Sequence, residues 1–180
     1  DYLNDPVRMN CGSTELMANP DVRQHIIFCD GPHKKTILDR MLGDMMKNET
    51  KVLVFAETKR MVDELHADLM RKYNVTVMHG GKEQRARDMA LNRFKNARNG
   101  ILIATDVCAR GLDIEDLGMV INFDFPREME SYVHRIGRTG RAGRQGDAFS
   151  LFTRDNSGMA KELMKIMDGA GQPIPDQLRE

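Results

Sequence analysis

The strongest constraint on the fold is a repeated alternation between short apolar segments and segments with helical spacing. Lys51–Ala56 (KVLVFA) is apolar and β-branched without alternation, as expected of a strand buried on both faces. Apolar residues then return at helical intervals at Met61, Val62, Leu65 and Leu69. The same pattern predicts strands at His25–Cys29, Lys51–Ala56, Val75–Met78, Ile101–Ala104, Met119–Phe123 and Ala148–Phe152. Helices are predicted around 37–45, 61–69, 86–94, 132–136 and 159–167. This alternation predicts an α/β domain, with a mainly parallel sheet covered by helices on both faces.

The chain has the length of one domain, and its first residues differ in composition from the rest. Of its 180 residues, 41% are hydrophobic and 30% are charged, a balance that predicts a folded domain rather than a disordered segment. Residues 1–24 mix Asn, Asp, Pro and Gly with few apolar positions. We expect an irregular arm or interdomain linker over 1–24 and the folded domain over 25–180.

Charge is balanced over the whole chain but concentrated in one segment. The 27 Lys and Arg residues are matched by 27 Asp and Glu residues, which disfavours a uniformly basic nucleic-acid-binding domain. Residues 127–154 contain six arginines and three acidic residues, a local excess of three positive charges. Any contact with nucleic acid is therefore expected from local clusters.

Cysteine spacing and hydropathy indicate the setting of the protein. Cys11, Cys29 and Cys108 are widely spaced and form no CxxC pair, so neither a metal site nor a disulfide framework is expected. A reducing, intracellular setting follows, without a distinction between nucleus and cytoplasm. The longest apolar runs are much too short to span a bilayer, so no membrane association is expected.

Parallel sheets bind ligands outside the carboxyl ends of their strands, so the loops that follow the predicted strands are candidate sites. After the second strand, Thr58 stands where a helix begins: its hydroxyl either caps that helix or, with the helix N-terminus, holds a phosphate. After the third strand, Gly80 and Gly81 form either a tight turn or a place where a ligand approaches the backbone closely. Gln84 and Arg87 lie one helical turn apart and should share a face.

The loop after the fourth predicted strand offers three polar groups. Thr105 supplies a hydroxyl, Arg110 a guanidinium, and Asp113 a carboxylate able to accept hydrogen bonds from a sugar hydroxyl. In the alternative interpretation, Asp106 caps the next turn and Asp113 starts a helix over Ile114–Leu117.

The segment 134–144 (HRIGRTGRAGR) has the most distinctive pattern of the chain, with an arginine at every third position from Arg135 and glycines between them. Because a three-residue step drifts around a helix and glycine disfavours helices, we expect an extended or turning backbone that directs the arginines toward different partners. Guanidinium groups match phosphate oxygens in bidentate geometry, so phosphate binding is favoured. A solvated basic loop is the alternative, but it needs no glycine at every third position.

Together these segments resemble the second-domain motifs of DEAD-box RNA helicases, within helicase superfamily 2. LVFAETKR (53–60) resembles motif IV, HGG (79–81) with the residues after it resembles the motif IVa region, ATDVCARGLD (104–113) resembles motif V, and HRIGRTGR (134–141) resembles motif VI. The resemblance covers essentially the whole chain. It implies a RecA-like three-layer domain, the C-terminal of two that close around ATP and single-stranded RNA.

The resemblance implies that this chain supplies part of an ATP site. Arg138 and Arg141 correspond to the arginine fingers on the ATP phosphates, while Gly111 and Asp113 correspond to ATP-binding positions, with Asp113 on the ribose. The P-loop and the DEAD carboxylates of the first domain, which hold Mg²⁺, do not occur in this sequence. The 180 residues alone are therefore expected not to hydrolyse ATP.

The resemblance also implies an RNA surface and a link between the two sites. His134 and Arg135 correspond to residues that couple the ATP site to RNA and to the first domain. The positions that line the RNA backbone in the family correspond here to Thr58, Gly80, Gly81, Arg87, Thr105 and Arg110. Contacts to phosphate and sugar predict sequence-independent, salt-sensitive binding of single-stranded or short duplex RNA by a domain that is monomeric when isolated.

The sequence departs from the family pattern at two positions. Gly81 replaces the Asp of the usual His-Gly-Asp, which removes a carboxylate near the RNA path, and Cys108 replaces the usual Ala.

A module that binds RNA or protein without turnover is one alternative function, although such a module has no need of Arg138 and Arg141. A dinucleotide-binding domain is the other, but the loop 30–33 (DGPH) lacks its glycine pattern.

Overall fold

The computed structural model describes residues 15–114 and 117–180. In this part of the chain six strands form one sheet in which all neighbouring strands are parallel, in the order β1-β6-β5-β2-β4-β3. The strands are β1 (Val22–Phe28), β2 (Lys51–Phe55), β3 (Val75–Met78), β4 (Gly100–Ala104), β5 (Leu117–Asn122) and β6 (Gly146–Phe152). The helices are α1 (Lys34–Met45), α2 (Lys59–Leu69), α3 (Gln84–Asn96), α4 (Asp106–Ala109), α5 (Met129–Ile136) and α6 (Ala160–Gly169). Three short 3₁₀ segments lie at Gly31–His33, Arg154–Met159 and Asp176–Leu178.

The two faces of the sheet are covered by different helices, because successive residues of each buried strand point to opposite sides. In β2, Val52 and Val54 pack with α1 and α2, whereas Leu53 and Phe55 pack with helices of the other face. Residues from α3, α5 and α6 fill that second core, with Phe94, Tyr132 and Leu163 among its most buried members. The predicted three-layer α/β fold with helices on both faces is confirmed.

The predicted strands and helices are all present, but several of their boundaries differ, and the sequence spacing does not predict α4. Strand β1 begins at Val22, three residues before the predicted start, and so includes the end of the segment expected to be an arm. The reason is tertiary: Val22 is fully buried under the turn that contains Gly140, a contact that sequence periodicity does not reveal. The alternative helix over Ile114–Leu117 is wrong, since Leu117 starts β5 and pairs with β2. Residues 1–14 of the predicted arm lie outside the described residues.

The parallel arrangement determines where the candidate residues lie. The carboxyl ends of β2, β4 and β3 are adjacent, and backbone hydrogen bonds connect the loops that follow them. The amide of Ala56 donates to the carbonyl of Ala104 at 3.1 Å, and the amide of Thr105 donates to that of Met78 at 3.3 Å. The loops that hold Thr58, Gly80 and Thr105 therefore form one edge of the domain.

Candidate functional site

The loop after β2 places Thr58 at the beginning of helix α2. The Thr58 hydroxyl oxygen accepts a hydrogen bond from the amide of Met61 at 3.1 Å, in the geometry of a helix cap. The capping hypothesis is therefore confirmed. The side chain is also exposed at the domain edge, where a ligand can reach the hydroxyl.

The loop after β3 is held by a buried histidine. His79 is almost fully buried, and its Nε2 lies 3.1 Å from both carboxylate oxygens of Asp63 on α2. Its Nδ1 accepts a hydrogen bond from the amide of Gly81 at 3.1 Å. The imidazole ring thus connects the backbone of the glycine loop to the Asp63 carboxylate. Asp63 also pairs with Lys82 at 3.1 Å, so α2 and the glycine loop are fastened together.

Helix α3 presents Arg87 beside the loop after β4. The predicted shared face is confirmed, because Arg87 Nη2 donates to the side-chain oxygen of Gln84 at 2.6 Å. Arg87 Nη1 lies 3.7 Å from the sulfur of Cys108, on α4. Arg87 Nε is buried and has no hydrogen-bond partner in the described part of the chain. The Arg87 guanidinium is thus held beside Gln84 and Cys108, but its Nε forms no hydrogen bond within the described residues.

The loop after β4 leads into the short helix α4. Thr105 is buried, whereas Arg110 is exposed just after the helix. The hypothesis that Asp106 caps the next turn is wrong, since its carboxylate is bound to Arg135 of α5. Sequence reasoning missed this pair because no local pattern connects two residues 29 positions apart.

Arg135 is the centre of a buried polar network. It is only 3% exposed, and its Nε and Nη2 donate to the two oxygens of Asp106, each at 2.7 Å. Nη1 donates to the side-chain oxygen of Asn122 at 3.2 Å and to the carbonyl of Asp124 at 2.7 Å. The guanidinium also lies 5.0 Å from the centre of the Phe55 ring. Every terminal nitrogen is engaged within the domain, as a buried cation requires.

Helix α5 ends at Ile136, and the arginines that follow lie on a turning backbone, as the glycine spacing predicts. Arg138 Nη1 donates to the carbonyl of Leu112 at 3.3 Å. Arg141 Nε donates to the carbonyl of Gly137 at 3.2 Å, and its Nη1 lies 3.6 Å from an oxygen of Asp113. Burial and the nearby charge of Arg141 lower the pKa of Arg138 from its usual value. The two arginines therefore share one electropositive region.

Two cavities meet at Arg138. The larger, of about 450 Å³, lies between α4 and α5, and its walls include Arg110, His134 and Arg135. The smaller, of about 160 Å³, is lined by Arg138, Arg141 and Arg144 together with the start of β5. Gly111, with φ of +73°, turns the chain from Arg110 toward Leu112 and Asp113.

The structure thus divides the sequence-predicted residues into two neighbouring sets. One set lies along the edge formed by the loops after β2, β3 and β4, and consists of Thr58, Gly80, Gly81, Arg87, Thr105 and Arg110. The other set lies around the turn after α5 and consists of Gly111, Asp113, His134, Arg135, Arg138 and Arg141. The Asp106–Arg135 pair joins the loop of the first set to the helix of the second.

Two further properties of the described ranges bear on function. No helix within 15–114 or 117–180 has the length and apolarity needed to cross a membrane. The same ranges hold no cluster of three or more His, Cys, Asp or Glu side chains placed to bind a metal ion.

Comparison with known proteins agrees with this geometry. Residues 33–143 match the model of the helicase conserved C-terminal domain. The DEAD-box ATP-dependent RNA helicase 14 of Arabidopsis thaliana is 45% identical over the whole of this chain, which spans 29% of that protein. The RNA helicase Prp28 from Chaetomium thermophilum, solved with ADP, superposes with a TM-score of 0.80 at 28% identity, over 92% of this chain and 41% of that one. Domain 2 of the DEAD-box helicase Mss116p, solved with an RNA duplex, has a TM-score of 0.69 at 25% identity, over 86% of this chain and 62% of that one.

The fold and the matched region define a RecA-like helicase C-terminal domain. This chain belongs to that family, and specifically to the C-terminal domains of DEAD-box RNA helicases. It spans about a third or less of the length of the curated relatives that it matches most strongly.

Proposed function

We propose that this chain is the C-terminal half of an ATP-dependent RNA helicase, which separates duplexes or remodels RNA–protein complexes only with its N-terminal RecA-like domain. The observation that carries the proposal is the grouping of Arg138, Arg141 and Asp113 at one turn beside a row of RNA-binding candidates. Two guanidinium groups in one electropositive region suit the charge of a transferring phosphoryl group.

The ATP-binding role rests on groups that are accessible before ATP arrives. Arg141 is paired with Asp113 at 3.6 Å, and the Asp113 side chain is 77% exposed. Such an exposed pair is weak, so ATP can displace it at little cost. Arg141 and Arg138 then bind phosphate oxygens, while the Asp113 carboxylate accepts a hydrogen bond from a ribose hydroxyl. Gly111, in the left-handed region, gives the backbone the turn that brings Asp113 to this position.

The coupling role divides between two residues of α5. Arg135 is buried and fully engaged within the domain, so it holds α5 against the loops after β4 and β5. His134 is exposed on the wall of the larger cavity and is the group able to reach the first domain. ATP binding at the turn after α5 is thereby connected to the loop that carries Thr105 and Arg110.

Mg²⁺ is expected with the ATP, but its ligands are not assigned to this chain. We expect the first domain to supply these ligands through its DEAD carboxylates. An intracellular setting is part of the proposal, and Cys29 and Cys108 are both free thiols.

RNA binding by the chain itself tests the proposed surface. A labelled single-stranded RNA titrated with the protein at several salt concentrations should bind weakly and without sequence preference, with affinity falling as salt rises. Arg110→Ala should weaken binding, whereas Lys161→Ala, which removes an exposed charge on α6, the helix after β6, should not. Equal effects of the two changes would contradict the assigned surface.

A further inference from the structure

The glycine loop after β3 has a cationic neighbour to which the family resemblance gives no role. The side chain of Lys59, the first residue of α2, lies across the loop. A methyl group built on Gly80 would lie 3.7 Å from Lys59 Cε and 3.8 Å from Nζ. One built on Gly81 would lie 3.6 Å from Lys59 Cδ. The ammonium is therefore held beside the backbone of two residues that are candidates for RNA contact.

The charged side chains nearest to Lys59 in the sequence, and Lys82 after the glycine loop, are already paired. Arg60 is bound to Glu64 at 2.9 Å, and Lys82 is bound to Asp63 at 3.1 Å. Glu57 is paired with Arg127. Lys59 is exposed and forms no ion pair or side-chain hydrogen bond with any residue in the described ranges. Its ammonium therefore stays available to an external anion, as the exposed Arg110 does on the neighbouring loop.

The availability of Lys59 follows from glycine at position 81. A carboxylate at this position would start from a Cβ atom next to the aliphatic part of Lys59, within easy reach of its ammonium. Without that carboxylate, the ammonium lies beside the backbone of the glycine loop, and the residue immediately before it in the chain is the exposed Thr58. Ammonium groups bind phosphate as compact point charges, without the directional demands of a guanidinium.

We infer that Lys59 is a phosphate-binding residue of the RNA surface, and that Gly81 makes it so by leaving its ammonium without a carboxylate partner. The inference rests on the proposed RNA-binding function and adds one contact to it. The ligand is a phosphate of the RNA backbone, so the contact contributes affinity without sequence preference.

The test is RNA binding by the 180-residue chain, measured by fluorescence anisotropy with labelled oligouridylate between 50 and 200 mM KCl, concentrations over which phosphate contacts are salt-sensitive. Lys59→Met should weaken binding roughly two- to fivefold, in the range of an exposed ion pair. It should also reduce the slope of log affinity against log salt by about 0.7, the value for one phosphate of a single strand. Arg60→Met removes a charge one residue away that Glu64 already engages, and should leave the slope unchanged.

Position 81 supplies the decisive comparison. Gly81→Asp should reproduce the loss of slope, because the new carboxylate pairs with Lys59, and Lys59→Met should then have no further effect in that background. Gly81→Asn has nearly the same shape without the charge. Both side chains bring a Cβ to 3.0 Å from the His79 ring, so they share any displacement of that ring. Lys59→Met should therefore retain its full effect in the Gly81→Asn background.

The outcomes separate this inference from the proposed function. If the unmodified chain binds RNA and Arg87→Ala weakens that binding, while Lys59→Met leaves the slope unchanged, the Lys59 inference is overturned alone. The Lys59 inference is also overturned if Arg60→Met reduces the slope as much as Lys59→Met does. The effect would then come from the loss of any positive charge in this region. If the unmodified chain shows no salt-dependent RNA binding, both ideas are overturned.

Discussion

Arg135 and Asp106 form a two-point ion pair, with Nε to Oδ1 and Nη2 to Oδ2 both at 2.7 Å. Arg135 belongs to α5, immediately before the arginine-rich turn, and Asp106 begins α4, between Thr105 and Arg110. One ion pair thus connects the loop that we propose binds RNA with the helix that leads to the residues that we propose bind ATP. The ion pair therefore fixes the position of α5 relative to the start of α4.

Removing Asp106 should destabilise the domain. Asp106→Ala leaves the Arg135 guanidinium buried without its carboxylate, a change that costs about 3 kcal/mol, at the lower end for broken buried pairs because Asp106 is 37% exposed. Urea denaturation gives the free energy of unfolding. Asp44→Ala is the control, since it breaks the exposed Asp44–Lys47 pair and should leave the stability unchanged. Indistinguishable midpoints for the two variants would contradict a structural role for Arg135.

Gly140 and Gly143 should differ sharply in their tolerance of alanine, although both have positive φ angles, +69° and +72°. Left-handed backbone alone costs a residue with a side chain about 1–2 kcal/mol, which is the loss expected for Gly143→Ala. A Cβ on Gly140 would also lie 2.6 Å from Val22 Cγ2, so Gly140→Ala should cost several kcal/mol. Thermal denaturation of both variants measures the difference, and equal losses would show that the packing of β1 under this turn is not tight.

Tyr132 should make the stability depend on alkaline pH. Burial raises the pKa of its phenol well above the usual value of 10.0, and its hydroxyl donates to the side-chain oxygen of Gln24 at 2.8 Å. Because the folded-state pKa is the higher one, this contribution is complete below pH 10 and is lost as pH rises through the range above it. The loss is about 1.4 kcal/mol per pH unit. Urea unfolding at pH 9, 10 and 11 should show a smaller decline for Tyr132→Phe than for the unmodified chain. An equal decline in the free energy of unfolding for both proteins would show that groups other than Tyr132 cause the pH dependence.

Much of the fold can be predicted from the sequence because strands that are buried on both faces are apolar at nearly every position. The KVLVF segment has no polar alternation, and in the structure all five of its residues are buried between two helical layers. The non-helical course of 137–144 is also predictable, since two of its three glycines, Gly140 and Gly143, have positive φ. The positive φ of Ala142 has no such signal in the sequence.

The parts that sequence could not predict depend on contacts between distant residues. The early start of β1 reflects the packing of Val22 under Gly140, and the role of Asp106 reflects a partner 29 residues away. Asn122 gave no signal as a site residue, although it is fully buried between Arg135 and Ser150. A polar residue inside an apolar strand is the one feature that could have marked it.

The most direct test of the proposed function is RNA-stimulated ATP hydrolysis by this chain joined to the N-terminal RecA-like domain that we propose for it. Arg141→Ala should lower turnover by about 10³-fold or more while the fold stays intact, because a guanidinium on the transferring phosphate is worth that much. Arg154→Ala removes an exposed arginine of the 3₁₀ segment after β6 and should leave turnover unchanged. Unchanged turnover for Arg141→Ala would contradict the account, since Arg141 would then not act at the transferring phosphate.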